Sequence, residues 1–365
     1  MFDLFKKSQS YLGVDVGKTS VKIVEIKRIK GQPTLVNYGY SEEALDFSNK
    51  NLQLDIAKSA RLIKEICARA GIKSVNAVAA LPSFSVFSSV LNLPVADKKN
   101  LDDAVMWEAK KVMPLDLEEM ILDWKILEEN GKETADKNGQ PEEKKTNGSI
   151  NNGNVKILLT GAPKTLVKKY VAIFKEAKMN LLSLETEIFS LTRSLIGADK
   201  SVVALIDLGA VNTDIAIIAN GLPMFGRSLD SGGIMLTKAI GDSLQVDFRR
   251  AEQFKLDLIS SQNGGGANAL PAPIINAISP IVNEIRYSLN LFQQENSKQI
   301  EKIILSGGGA NLPGIDNYLS GALNKKVIIG DPWARLSYPL DLKPALDEMG
   351  SKMAIAVGLA LRETT

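Results

Sequence analysis

An apolar strand that ends in Asp-x-Gly and turns at once into a second strand occurs twice in this chain. That repeat limits the fold more than any other feature. Leu12-Gly13-Val14-Asp15-Val16-Gly17 leads into Val21, Ile23 and Ile26, which alternate with Lys22 and Lys27, and a further strand runs from Thr34 to Tyr40. Period-two alternation broken by Gly17, Gly31 and Pro33 is a hairpin signature. Val202 to Gly209 repeats the opening, ending in Asp207-Leu208-Gly209 before a second strand from Asp214 to Ala219. Equivalent units in two places predict two halves of the same fold facing each other. Strands alternating with helices make the class α/β.

Between the repeats, the pattern predicts a helix from about Leu54 to Ala70, stopped by Gly71, and a strand from Asn76 to Leu81. From Ser83 to Met179 the texture changes. A strand over Phe84 to Leu93 precedes a helix carrying Leu101, Val105, Ala109 and Val112. Strands around Ile121 to Leu127 and Val155 to Thr160 follow, then a helix with Leu166, Tyr170, Ile173 and Ala177. This reads as an inserted α+β subdomain. Its segment 130–154 has almost no apolar residue and is expected to be a mobile loop between two strands. A helix over Glu185 to Ile196 joins the halves, and another is expected to open at Ser279-Pro280, with serine as cap and proline in the first turn. The expected domains are therefore 1–82 with 180–200, the insertion 83–179, and 201–365; the length also predicts roughly two domains.

Composition excludes several chemistries. The 365 residues include no histidine and one cysteine. Without imidazole there is no Ser-His-Asp or Cys-His hydrolytic arrangement. One thiol cannot supply a structural zinc or iron–sulfur site, and no disulfide can form within the chain. Cys67, in an amphipathic helical stretch, reads as core packing in preference to a reactive thiol. The net charge of +2 gives no argument for nucleic acid or anionic lipid as partner. No run of about 18 apolar residues appears, so no transmembrane helix is expected. Met1 to Lys7 lacks the apolar middle of a secretory signal and reads as a frayed end or a short docking tail.

The strand ends carry the chemistry. Asp-x-Gly presents a carboxylate beside a backbone that can approach a phosphate closely, because glycine puts no side chain in the way. Turn amides then point at phosphate oxygens, and the carboxylate can hold Mg²⁺ directly or through water. Lys22, across the turn from Asp15, could add a point charge. One such turn serves any tight hairpin. Two in matching contexts, with a third glycine cluster at Ser306-Gly307-Gly308-Gly309 after a late strand, favour a nucleotide.

These motifs resemble the actin and heat-shock chaperone ATPase superfamily. Asp15-Val16-Gly17 with Lys22 is similar to its first phosphate motif, Asp207-Leu208-Gly209-Ala210 with Thr213 to its second, and Leu305-Ser306-Gly307-Gly308-Gly309-Ala310 to its adenosine motif. The likeness tightens to the PilM family of type IV pilus assembly and, more loosely, to the division protein FtsA. It rests on residues 12–22, 207–217 and Ser231-Gly232-Gly233-Ile234 with Leu236-Thr237, and on the insertion falling where those proteins carry their extra subdomain. The resemblance implies an actin-like ATPase fold of two ribonuclease-H-like halves, with the α+β subdomain inserted in the first.

By matching position, the resemblance implies ATP and Mg²⁺ as ligands, with Asp15 and Asp207 near the metal. Gly17, Lys18, Thr19 and Ser20 on one side, and Gly209, Ala210, Asn212 and Thr213 on the other, would cradle phosphates, with Lys22 touching phosphate. Lys18 departs from the small hydroxyl residue usual there and would either attract phosphate or crowd the turn. Gly232 and Gly233 would approach ribose and phosphate, and Gly307, Gly308 and Gly309 the adenosine. Glu252 and Lys255 resemble the pair that clasps the nucleoside, or form an ordinary helical ion pair. Glu187 lies where a water-orienting catalytic group is often kept, or is a plain surface glutamate. With no other base in sight, slow or absent ATP turnover is expected.

The function implied is an ATP-binding cytoplasmic adaptor, peripheral to the inner membrane. It would dock the N-terminal cytoplasmic segment of a PilN-like membrane protein as an extended peptide, in a groove involving the inserted subdomain, and meet other pilus assembly proteins. An FtsA-like division or filament protein is the alternative, although no amphipathic anchor follows Ile355 to Leu361. A small-molecule kinase of the same superfamily is a third reading. It lacks an acidic loop aimed at an acceptor hydroxyl.

Overall fold

The computed structural model describes residues 9–42, 55–95, 101–129, 153–260, 270–296 and 298–364. Residues 1–8, and 130–152 of the expected mobile loop, lie outside them; residues 153 and 154 belong to a strand. By internal packing the chain divides into a compact unit of residues 85–166 and a larger one formed by the remainder.

The larger unit contains two five-stranded sheets. In the first, β1 (Ser10–Val16), β2 (Ser20–Ile29) and β3 (Gln32–Glu42) form an antiparallel meander. β4 (Asn76–Leu81) and β8 (Asn180–Thr186) add in parallel, giving the order β3-β2-β1-β4-β8. In the second, β9 (Val203–Leu208), β10 (Thr213–Ala219) and β11 (Leu222–Leu229) repeat the meander. β12 (Lys302–Ser306) and β13 (Val327–Ile329) add in parallel, giving β11-β10-β9-β12-β13. Strand for strand, the two sheets share one topology. The helices α1 (Ile56–Ala70), α5 (Gly233–Leu244), α6 (Phe248–Ser260), α7 (Ala272–Asn296), α8 (Ile315–Leu323) and α9 (Lys343–Met349) complete the layers.

Local chemistry explains the boundaries. Asp55 caps α1 by accepting from the Lys58 amide at 2.9 Å, and Gly71 ends it in the left-handed region at φ 68°. On its inner face Leu62, Ile63 and Ile66 are buried, each contributing about 1.5–3 kcal/mol. Cys67 is buried with them, and burial, reinforced by Glu25, pushes its thiol up to about 11. It is a packing residue.

Three expectations differ from the structure. The linking helix begins at Glu187, not Glu185: α4 (Glu187–Leu191) runs into a π-helical turn over Thr192–Ile196, and the residues before it form β8, a strand the pattern did not show. The strand expected from Phe84 is β5 (Phe87–Val95), preceded by a 3₁₀ turn over Ser83–Ser85. The helix expected to open at Ser279 starts at Ala272 and carries Pro280 inside it. Ile274 and Ile278 continue the buried face of Ile281 and Ile285, so burial extends the helix through the proline. Pro280 and Asn276 are both exposed, which leaves the carbonyl that loses its helical donor on the water side.

The final helix, α10 (Ala354–Leu361), is buried along its whole length. It packs with Val24 and Ile26 of the first sheet through Ala356, Val357 and Ala360. Through Ala354, Ile355 and Leu359 it also joins a cluster holding Val78 and Ala80 of the first sheet and Val203, Leu205 and Ala216 of the second. Two glycines allow this approach. A Cβ at Gly13 would lie 1.9 Å from the Ala356 carbonyl oxygen, and one at Gly358 would lie 1.9 Å from that of Ser190. Residues 354–361, expected with the second half, thus pack on β1 as well.

The smaller unit has its own core. β5, β6 (Met120–Glu129) and β7 (Gly153–Pro163) make an antiparallel sheet of order β5-β7-β6. α2 (Leu101–Val112) covers one face, with Leu101, Val105 and Ala109 packed on Leu91, Leu93, Val155, Ile157 and Leu159. The expected insertion of 83–179 encloses this unit together with α3 (Lys164–Glu176). The division falls within α3, whose residues from Val167 onward pack with the larger unit.

Candidate functional site

The turn after β1 and the turn after β9 close on themselves in the same way. The Gly17 amide donates to the Ser20 carbonyl at 2.9 Å, and the Gly209 amide to the Asn212 carbonyl at 2.9 Å. Both turns border one pocket of about 100 Å³, a volume suited to phosphate groups and small for a whole nucleotide. Of the expected residues, Asp15, Gly17, Lys18, Thr19, Ser20, Lys22, Glu187, Asp207, Gly209, Ala210 and Asn212 line it. Phe84, Val211, Asp214 and Ile355 line it too, and sequence reasoning missed them.

Its charges are arranged by strand register. Lys22 stands opposite Asp15 on β2, and its Nζ pairs with Asp15 Oδ2 at 3.0 Å, both well shielded from water. Opposite Asp207 on β10 stands Asp214, whose carboxylate accepts from Ser228 Oγ. Burial and the neighbouring Asp214 push Asp207 up to about 7. Burial pushes Asp214 up to about 6, against the opposing pull of Ser228 and Lys18. Glu187 opens α4 and accepts from the Ser83 amide at 2.8 Å. Burial first, then Asp214 and Asp15, raise its carboxyl well above the usual range. Lys18 Nζ sits 4.1 Å from the centre of the Phe84 ring and 3.7 Å from Asp230. Its side chain lines the pocket, and its ammonium is held between Phe84 and Asp230.

The remaining expected residues do not line this pocket. Thr213 Oγ1 donates to the Ser231 carbonyl at 2.7 Å. The Gly233 amide bonds the Gly209 carbonyl at 2.9 Å, so α5 starts directly on the second turn. A Cβ at Gly232 would lie 2.6 Å from that same carbonyl oxygen, which is why the approach needs glycine. Glu252 and Lys255 pair with each other at 2.7 Å on α6, and Lys255 Nζ also donates to Thr237 Oγ1 at 2.8 Å. Gly307, Gly308 and Gly309 follow β12 and turn beside Leu208.

Chemically, the pocket can bind an anion through turn amides while its acidic floor binds a cation. Among the described residues, no three His, Cys, Asp or Glu side chains stand close enough to cage a metal. A cation here would rest on one or two carboxylates and on oxygens of the anion itself, which is how Mg²⁺ is held with phosphates.

Two matching sheets, facing glycine turns and a helix packed on both define the actin-like ATPase fold class. The solved structure of MreB5 of Spiroplasma citri bound to ADP superposes with a TM-score of 0.53 at 14% identity, covering 98% of this chain and 97% of that one. A "PilM-PilN type IV pilus biogenesis complex" superposes with a TM-score of 0.78 at 23% identity, covering 97% and 98%. Cell division protein FtsA of Enterococcus faecalis is 21% identical in an alignment 344 positions long that covers 85% of this chain and 76% of that protein. The family described as type IV pilus assembly protein PilM matches residues 13–140 and 143–364. The chain belongs to that family. No described helix is long and apolar enough to cross a membrane.

Proposed function

We propose that this chain binds ATP with Mg²⁺ at the pocket between the two glycine turns, and serves pilus assembly from the cytoplasmic face of the inner membrane. There it would dock the N-terminal cytoplasmic segment of a PilN-like protein. The observation that carries the nucleotide reading is the convergence of both Asp-x-Gly turns on one phosphate-sized pocket with an acidic floor. The turns from Gly17 to Ser20 and from Gly209 to Thr213 would cradle the phosphates through amides other than those of Gly17 and Gly209, which close the turns. Asp15 and Asp207 would stand near the metal. Gly232, Gly233, Glu252, Lys255 and the 307–309 turn would meet the nucleoside, which the small pocket leaves outside. Glu187, fixed by the Ser83 amide, would orient water. For the partner, the support is family membership and a separate three-stranded sheet whose edge strands β5 and β6 suit pairing with an extended peptide.

Calorimetry with Mg-ATP tests the site. Heat of binding is expected, and Asp207→Ala should weaken it by about tenfold or more. A flat titration of the intact protein rejects the nucleotide reading. A synthetic N-terminal segment of a PilN-like protein should bind with roughly micromolar affinity, about −8 kcal/mol. No capture at roughly a hundredfold higher concentration rejects the adaptor reading.

A further inference from the structure

The outward face of α2 carries an arrangement that the nucleotide and partner readings leave unused. Leu101, Val105 and Ala109 turn inward, while Asp102, Asp103, Met106, Trp107, Lys110 and Lys111 are all exposed. At 100° per residue these six share one half of the helix surface. Trp107 is 63% exposed and Met106 45%, an apolar pair at the middle of a helix otherwise faced with charge. Lys111 Nζ lies 3.1 Å from the centre of the Trp107 ring and 2.9 Å from Glu108, so the ring is held in place at the surface.

The order along that face reads the same in both directions once charge is inverted. It runs acid, acid, apolar, apolar, base, base, with its centre between Met106 and Trp107. When two copies of such a face meet antiparallel about a two-fold axis, Asp102 and Asp103 of each oppose Lys111 and Lys110 of the other. Met106 and Trp107 then lie beside the axis on opposite flanks of the face, each against the same residue of the other copy. Isologous contacts require this self-complementarity. The antiparallel setting also brings the positive end of each helix dipole to the negative end of the other.

We propose that α2 is a self-association surface, and that its occupant is α2 of a second copy of this chain. The inference is independent of the nucleotide and partner readings. Two three-turn helices bury well under the roughly 1,200 Å² of a standard interface, so the dimer is weak, with a Kd on the order of 10⁻⁴ M. It weakens further with salt, because its charges are exposed.

The test uses charge-inverted full-length variants. Asp102→Lys with Asp103→Lys makes the face wholly positive, and Lys110→Asp with Lys111→Asp makes it wholly negative. In sedimentation velocity at low salt, up to a few times the expected Kd, the unaltered chain should associate with rising concentration. Each variant alone should remain monomeric, and their equimolar mixture should associate at least as well as the unaltered chain. Iodide quenching of tryptophan in a Trp124→Phe background, which reads Trp107 because Trp333 is buried and the half-buried Trp124 is removed, should fall in step with association. The proposal is overturned if the unaltered chain stays monomeric throughout, or if it associates without protecting tryptophan from iodide. It is equally overturned if either variant alone associates like the unaltered chain, or if the mixture of folded variants does not pair.

Discussion

Across the hairpin from Asp15 stands Lys22, and across the matching hairpin from Asp207 stands Asp214. The strands, register and turns are the same, yet one half places a cation opposite its site aspartate and the other places a second carboxylate there. In the first half the ion pair forms within the fold and needs nothing from solution. In the second, two shielded carboxylates face each other, and their affinity for protons rises accordingly. A repeated fold can therefore carry an aspartate paired with a cation in one half and an aspartate facing a second carboxylate in the other. The asymmetry lies in a single cross-strand position.

Substitutions and pH should separate the halves on that basis. The largest effect is expected from Lys22→Met, which strands Asp15 without its cation. Breaking a shielded pair from one side costs about 3–5 kcal/mol, measurable by urea denaturation without divalent ions. A loss below about 1 kcal/mol would show that Asp15 finds another partner. Next comes pH. Asp207 at about 7 and Asp214 at about 6 lie above the unfolded value of about 3.9. The folded state thus holds protons that the unfolded state has released. Stability present below about pH 4 is lost as pH rises through 6 and 7, by several kcal/mol for the coupled pair at about 1.4 kcal/mol for each pH unit by which a pKa is raised. Mg²⁺ at pH 8 should recover part of it, and a melting temperature that climbs steadily from pH 5 to 8 without metal would contradict this.

Asp214→Asn removes the facing charge. At pH 8 without metal it should stabilise the protein by about 1–2 kcal/mol and bring the Asp207 titration, followed by carboxyl NMR, toward the ordinary range. The smallest change is expected from Ser228→Ala, which deprives Asp214 of one hydrogen bond. About 0.5–1 kcal/mol of stability should go at pH 8, and the Asp214 titration should move upward, not downward.

Much of this was legible in the chain itself, because the site's backbone is local. Asp15-Val16-Gly17 and Asp207-Leu208-Gly209 announce strand, turn and carboxylate together, and both turns are where the pattern puts them. Asp214 was not legible. It follows Thr213 in an apolar strand, and only the pairing of β9 with β10 sets it against Asp207. Ile355 reaches the pocket from the far end of the chain, a contact with no local signal. β8 was hidden because Asn180–Thr186 is short, half-exposed and runs straight into a helix. The start of α7 was misread because Ser279-Pro280 carries real capping chemistry, which burial of Ile274 and Ile278 overrides.

The closure of α10 on β1 also sets a timetable for synthesis. Val24 and Ile26 leave the ribosome more than three hundred residues ahead of the residues that cover them, Ala356, Val357 and Ala360. At about 5–20 residues per second, that side of the first sheet stays uncovered for on the order of tens of seconds. The docked α10 lies so close that its backbone meets Gly13 where a Cβ would not fit. The nascent chain therefore carries a sticky apolar face while the more than three hundred residues between these segments are made. Ribosome-stalled chains ending before Ala354 should be cut readily within β1 and β2 by added protease, while chains with α10 fully emerged should resist. Equal resistance in both would mean that the first sheet seals itself early by another route.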